Sequence, residues 1–177
     1  LNKWLERMPS CSDTVYWDQT QDVQPSMHPF WVSYRNTYAA GLLPIEQQNL
    51  DTFDKIFVNE DEYPQDRRLS SLASRNAFFI MLYRDFPLLH LPYELLSTLL
   101  EIDELLSLWR HRHIHMVQRT IGKRVGTGGS TGAGYLKAAA DSHQIFKEIA
   151  ELTSFLLPRH EVPELPEKLK NELSYNR

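Results

Sequence analysis

The sequence predicts an all-α fold, a bundle of long antiparallel helices, and three observations carry that expectation. Sustained period-2 alternation of β-branched residues, the mark of strands, does not occur. Apolar residues recur instead at three- and four-residue intervals, the spacing of a helical face. Prolines and glycines punctuate the chain between these stretches, where helices start and stop. Helices of this length bury their apolar stripes by packing against one another.

The elements follow in order. Residues 1–8 read as the end of a helix stopped by Pro9, and residues 10–25 as a polar, turn-rich loop. Residues 27–40 form a helix with Pro29 in its first turn, broken by Gly41 and Pro44. Residues 45–58 continue as a second helix, with Ile45, Leu50, Phe53, Ile56 and Phe57 on or near one side. After an acidic loop at 59–66, residues 67–84 form a third, with Leu69, Leu72, Phe79, Ile80 and Tyr83 as core. Pro87 and Pro92 bracket a connector, and Pro92 opens the longest helix, residues 93–121, about 43 Å long. A glycine-rich loop at 122–134 follows, then a last strong helix over 135–157 ended by Pro158. The tail from Pro163 is charged and weakly amphipathic, and no repeat or low-complexity run interrupts the chain.

The totals narrow the function classes. At 177 residues and 42% hydrophobic content, residues 1–177 make one domain with a substantial core. The formal net charge of −4, with lysines and arginines scattered, leaves no basic patch for nucleic acid. A single cysteine, Cys11, excludes an internal disulfide and suits a reducing, cytoplasmic location. No apolar run reaches the roughly 18 residues of a membrane span. The chain opens at Leu1 inside what reads as a helix, LNKWLERM, which suggests part of a longer protein.

The most informative stretch is WRHRHIHMVQRTIGKRVGTGGSTG, which begins at Trp109. Helical residues lie about 100° apart, so His113 shares a face with Trp109, Met116, Val117 and Thr120. Extended backward, that stripe collects Leu95, Leu99, Ile102 and Leu106. An imidazole among apolar walls suits a buried metal cofactor, and it equally describes an ordinary core histidine. The loop after it holds six of the seven glycines. Its backbone N–H groups, the Thr127 hydroxyl and the start of the next helix near Gly134 would together receive an anion. No phosphate-loop string occurs, and a helix rather than a strand precedes the loop, which argues against nucleotide binding. A plain connector would need only a glycine or two.

Other candidates are weaker. His111 and His115 have the spacing of a zinc helix but lack the glutamate and third ligand, so they read as solvated. Arg110, Arg112, Arg119, Lys123 and Arg124 form either a solvated basic face or a counter-charge for an acidic ligand. Cys11 has no basic neighbour to activate it. The carboxylate pairs Glu60 with Asp61 and Glu101 with Asp103 do not face each other as an acid–base pair.

These residues resemble the C-terminal core of the tryptophan 2,3-dioxygenase family. The resemblance is carried by WRHRHIHMVQRTIGKRVGTGGSTGAGYL, WLERMP at residues 4–9, RRLSSLASRNAFFIMLYRDFP from Arg67, and FLLPRHEVP at residues 155–163. It implies a helical haem pocket, with haem b as cofactor and His113 as the axial ligand to iron. Trp109 would lie near the ring on the proximal side, and Thr127 would touch the amino-acid end of L-tryptophan. The implied reaction inserts O2 across the indole C2–C3 bond to give N-formylkynurenine, in a homotetramer whose neighbouring subunit completes the pocket. The family's distal histidine, pocket phenylalanine and carboxylate-binding arginine lie in an N-terminal region without counterpart here. The chain is therefore expected to be the C-terminal part of a larger haem dioxygenase subunit, incomplete as an enzyme by itself, with no acid–base residue assigned. GSTG stands where the family has GSSG. The alternatives are a haem-dependent hydroxylase of tryptophan or a related aromatic amino acid, and a non-enzymatic helical interaction module.

Overall fold

The computed structural model describes residues 1–9, Ser26, 28–121 and 144–175. Among the described residues there is no strand, as an all-α fold requires. The expectations for residues 10–25, for the glycine loop and for the first part of the 135–157 helix fall outside them. The elements are α1 (Asn2–Leu5), α2 (Pro29–Gly41), α3 (Gln47–Phe53), α4 (Ser71–Leu82), α5 (Pro87–Ile121), α6 (Lys147–Leu152) and α7 (Glu167–Leu173). Two compact units divide the chain: Leu1–Leu95 with Glu148–Arg177, and Leu96–Lys147. Among the described residues no helix is long and apolar enough to cross a membrane.

The first unit is organised by aromatic rings. His28 caps α2 by accepting the Phe30 N–H at 3.3 Å, and Pro29 supplies a first position that needs no N–H. The helix then buries Phe30, Trp31, Tyr34 and Tyr38 on one face. Trp31 stacks on Phe57 at 5.2 Å, and Tyr34 lies parallel to Phe53 at 5.9 Å. α3 runs into a widened π turn, Asp54–Val58, closed by the Asn59 N–H donating to the Asp54 carbonyl at 2.8 Å. That turn carries Ile56 and Phe57 into the core beside Phe53, the last residue of α3, and Arg35 grips Asp54 through two bonds of 2.6 and 2.5 Å.

α4 is buried almost all round, from Ala73 to Met81. Ser70 caps it by accepting the Ala73 N–H, and Ser70 in turn meets Asn2 and Glu6. Asn76, inside α4, donates to the Leu5 carbonyl at 2.9 Å, so the single-turn α1 is held by polar bonds as well as by buried Leu5. The later part of the unit is fastened the same way. Glu148 accepts the N–H groups of Arg68 and Leu69 at 2.8 and 2.9 Å, and Glu151 pairs with Arg67. The Tyr34 hydroxyl donates to the Phe155 carbonyl and accepts the Leu157 N–H. Burial pushes the Tyr34 phenol far above its ordinary pKa, so it stays a donor at any physiological pH.

Several expected boundaries move, each for a physical reason. The helix expected over 67–84 starts at Ser71, because Glu148 and Asn2 take the N–H groups of residues 68–70. Leu72 thereby falls in the first turn, 38% exposed rather than core. The helix expected over 45–58 breaks into a 3-10 turn (Pro44–Glu46), α3 and the π turn, and Ile45, in the first of these, is 84% exposed. Pro92 does not open the long helix but lies inside it. Pro87 takes the first position instead, with the Phe86 carbonyl accepting from Leu89 and His90, so α5 runs 35 residues, about 52 Å. Pro92 forfeits one bond near the helix start, a local loss that the remaining length absorbs. Residues 144–146 are not helical, and the described part of the 135–157 helix is only α6 and a 3-10 turn, Thr153–Phe155.

The His28 cap makes stability depend on pH. Burial holds its imidazole below the ordinary value of 6.5, so below that pH the unfolded chain binds more protons than the folded one. The cap's contribution is therefore full above about pH 6.5 and declines as pH falls beneath it. Thermal unfolding from about pH 8 to about pH 5 should show this decline. In His28→Asn, which keeps a capping acceptor without a titrating ring, the slope should flatten even though packing is lost; equal slopes reject the assignment.

Candidate functional site

The candidate site lies on the part of α5 in the second unit. Leu96, Asp103 and Ile114 recur there at intervals of seven and eleven residues, which returns them to one side of a helix, and all three are buried. The Asp103 carboxylate accepts the Phe146 N–H at 3.0 Å through Oδ2, while its buried Oδ1 has no partner. Sequence reasoning passed over Asp103 because it looked for a facing carboxylate. The available signal was an acidic residue at heptad spacing from Leu96.

The stripe that the sequence marks as apolar is the other side of the helix, and it is open. Ile102, Trp109 and Met116 are exposed, as is Leu105 beside them, which reaches 64%. His113 sits at the edge of this stripe, half-buried rather than enclosed. The difference from expectation has a simple cause: among the described residues nothing packs over Trp109 and Met116, so their neighbour stays accessible.

Two sequence-predicted residues do meet here. The Trp109 indole stacks on the His113 imidazole, with centroids 5.4 Å apart and planes 14° from parallel. One helical turn separates them, the spacing at which side chains touch along a helix. Among the described residues His113 makes no hydrogen bond, so both ring nitrogens remain available. His111 points elsewhere, its Nδ1 2.8 Å from the Ser107 carbonyl oxygen, and His115 is exposed, as expected of solvated histidines. Arg112 and Arg119 are exposed near the end of α5, where positive charge suits the helix terminus. Thr127, the glycines around it, Lys123, Arg124 and Cys11 lie outside the described residues.

The chemistry open to this arrangement is limited. No group of three or more His, Cys, Asp or Glu side chains that could hold a bare metal ion occurs among the described residues. A lone accessible imidazole on an apolar strip instead suits a flat apolar cofactor that brings its own metal and asks for one axial ligand. A separate cavity of about 240 Å³ in the first unit is bordered by Tyr83, Phe86, Pro163 and Lys170. Its charges are paired, Arg159 with Asp85 and Lys170 with Glu164 across its own walls, Lys170 also with Glu167 beside it. The Tyr83 hydroxyl is spent on the Pro163 carbonyl at 2.6 Å.

Comparison with known proteins bears on this site. A family model described as Tryptophan 2,3-dioxygenase matches residues 46–156, a span that includes α5 and its imidazole. A tryptophan 2,3-dioxygenase of Alteromonas mediterranea is 35% identical, the match covering 99% of this chain and 52% of that protein. One from Bdellovibrio bacteriovorus is 34% identical over 99% of this chain and 53% of its own length. One from Dictyostelium discoideum is 42% identical over 70% of this chain and 31% of its own. The chain spans about half the length of the two bacterial relatives and less of the third.

The open stripe predicts a tolerant surface within an intolerant fold. Leu105→Ser should change the unfolding free energy of this chain by less than about 0.5 kcal/mol, against at least 2 kcal/mol, roughly, for Leu89→Ser in the core. Denaturant titration of both variants checks this, and a large loss at Leu105 contradicts the exposure described.

Proposed function

The chain belongs to the tryptophan 2,3-dioxygenase family, and from that premise we propose that it forms the iron-holding wall and part of the substrate pocket of a haem-dependent dioxygenase. The reaction adds both atoms of O2 across the indole C2–C3 bond of L-tryptophan, giving N-formylkynurenine. The observation that carries this reading is His113: accessible, without a hydrogen bond among the described residues, and flanked by an open apolar stripe. Those features fit a haem, taken as haem b, which when bound supplies ferrous iron for the reaction with O2.

The protein's own residues would then divide the work. His113 ligates the iron through one ring nitrogen, and Trp109 lies beside the ring. Ile102, Leu105 and Met116 cover apolar surface next to the cofactor and keep water from it. Thr127 and the amide groups of its glycine-rich neighbours hold the ammonium and carboxylate of tryptophan, the part of the substrate that does not react. Pinning that end orients the indole, which converts an encounter into a near-attack arrangement. In a homotetramer a neighbouring subunit would complete the pocket. A cytoplasmic location goes with this reading, since the chain's single cysteine offers no internal disulfide. The relatives described above bear the dioxygenase name, which favours addition of both oxygens over hydroxylation.

Haem titration followed by absorption spectroscopy tests the assignment. The chain should develop a Soret band that His113→Ala loses; full occupancy with an unchanged spectrum in that variant rejects His113 as ligand. Thr127→Ala should keep its haem while tryptophan shifts the band about tenfold less tightly, the cost of roughly one hydrogen bond to a charged group. Unaltered tryptophan affinity removes Thr127 from the pocket.

A further inference from the structure

We propose that Trp109 is the positioning residue that fixes the plane of the His113 imidazole, and that it does so by ring stacking instead of by a hydrogen bond. The inference rests on the reading of His113 as the iron ligand. A helix confines the first side-chain torsion of a histidine to two wells, but the second, between tetrahedral and planar carbon, is broad. Something else must set the ring plane before a metal arrives. In most haem and metal sites the second ring N–H donates to a carboxylate or a backbone carbonyl and does this work.

His111, two residues earlier, shows what that arrangement looks like on α5: its Nδ1 lies 2.8 Å from the Ser107 carbonyl oxygen, one turn back. His113 has no such bond among the described residues. What stands one turn before it is Trp109, whose indole lies over the imidazole at 5.4 Å and 14° from parallel. The indole is 60% exposed, so it contributes little to any core of this chain. A large aromatic side chain left in water while covering one face of an imidazole holds that imidazole's orientation at small cost to folding. Stacking also leaves both ring nitrogens unencumbered, one for iron and one for whatever partner the assembled pocket supplies.

Two variants separate this role from simple bulk. Trp109→Phe keeps a ring able to stack, whereas Trp109→Leu keeps apolar volume without one. Because Trp109 is exposed, neither disturbs the buried core. In the haem-free chain, NMR of labelled histidine should show His113 ring protons shifted by the ring current of residue 109 in the wild type and in Trp109→Phe. The shift should vanish in Trp109→Leu. After haem loading, Trp109→Leu should bind haem about threefold to tenfold more weakly, the worth of one aromatic pair. It should also broaden the low-spin ferric EPR signal of the cyanide adduct, since the splitting of the iron orbitals follows the imidazole plane, and Trp109→Phe should restore both. Wild-type affinity and an unaltered EPR signal in Trp109→Leu overturn the proposal, as does a missing ring-current shift in the wild type. Unchanged haem binding in His113→Ala overturns both this proposal and the iron-ligand reading beneath it. Failure of Trp109 alone is distinguishable, because His113→Ala then still loses its haem.

Discussion

The stack of Trp31 on Phe57 is the contact on which the first unit depends. It joins α2 to the π turn; both rings also meet Phe78 of α4, and Phe57 meets Phe155 beyond α6 edge-on. Aromatic side chains each remove about 150–250 Å² from water and prefer offset or edge-on contacts, so a cluster of them fixes both area and orientation. The π turn is what makes the contact possible. Its widened backbone sets Phe53 and Phe57 4.7 Å apart on the same side, while Asp54 between them is turned out to Arg35. Once α4 lies across this cluster with nearly every side buried, its own polar residues must find partners. Arg75 reaches Glu60 and Ser71, and Asn76 reaches the carbonyls of Leu5 and Met8. Polar bonding in this unit is thus a consequence of aromatic packing, because a buried group without a partner costs more than a bond returns.

α5 obeys a different rule. Its buried side carries Leu96, Asp103 and Ile114, and its richer apolar stripe is left in the open with the imidazole at the edge. For a self-sufficient helix that assignment is inverted, since the more apolar side should be covered first. The proposed reading accounts for it, because there the open stripe would receive a flat cofactor. On the proposed reading one imidazole would suffice, since the protein would supply a single iron ligand and an apolar floor, with Arg112 and Arg119 exposed toward the helix end.

Much of this was legible in the sequence. The all-α class, a helix with Pro29 in its first turn, the core positions Phe53, Ile56, Phe57, Phe79 and Ile80, and the stripe through Trp109 and His113 all follow from local sequence signals. What periodicity could not provide was burial. It marks the face on which apolar residues gather, and it cannot say whether anything lies against that face. Ile45 and Leu72 failed for a related reason: each was placed by a helix phase that begins or breaks elsewhere. The start of α4 is decided by Glu148 and Asn2, partners that no local window contains. Pro92 misled because a proline ordinarily marks the first turn of a helix, and here the helix had already begun at Pro87. The glycine loop and Thr127, the most recognisable string in the chain, lie outside the described residues.

The two hydrogen bonds that the Arg68 and Leu69 amides donate to Glu148 also have a bearing on the order in which this protein is made. Those amides wait about 80 residues for their acceptor, and Phe155, which fills the aromatic cluster, comes later still. The first unit is therefore discontinuous in the chain, interrupted by the whole of the second. At ribosomal speeds of roughly 5–20 residues per second, some 3–10 s pass between synthesis of its two parts. During that interval Trp31, Phe53 and Phe57 have each other but not their last aromatic neighbour, and the nascent chain carries a half-built apolar core. Closing a loop of that size is slow compared with forming local helices. The rate at which residues 96–147 are translated therefore sets how long that half-built core waits for its completion.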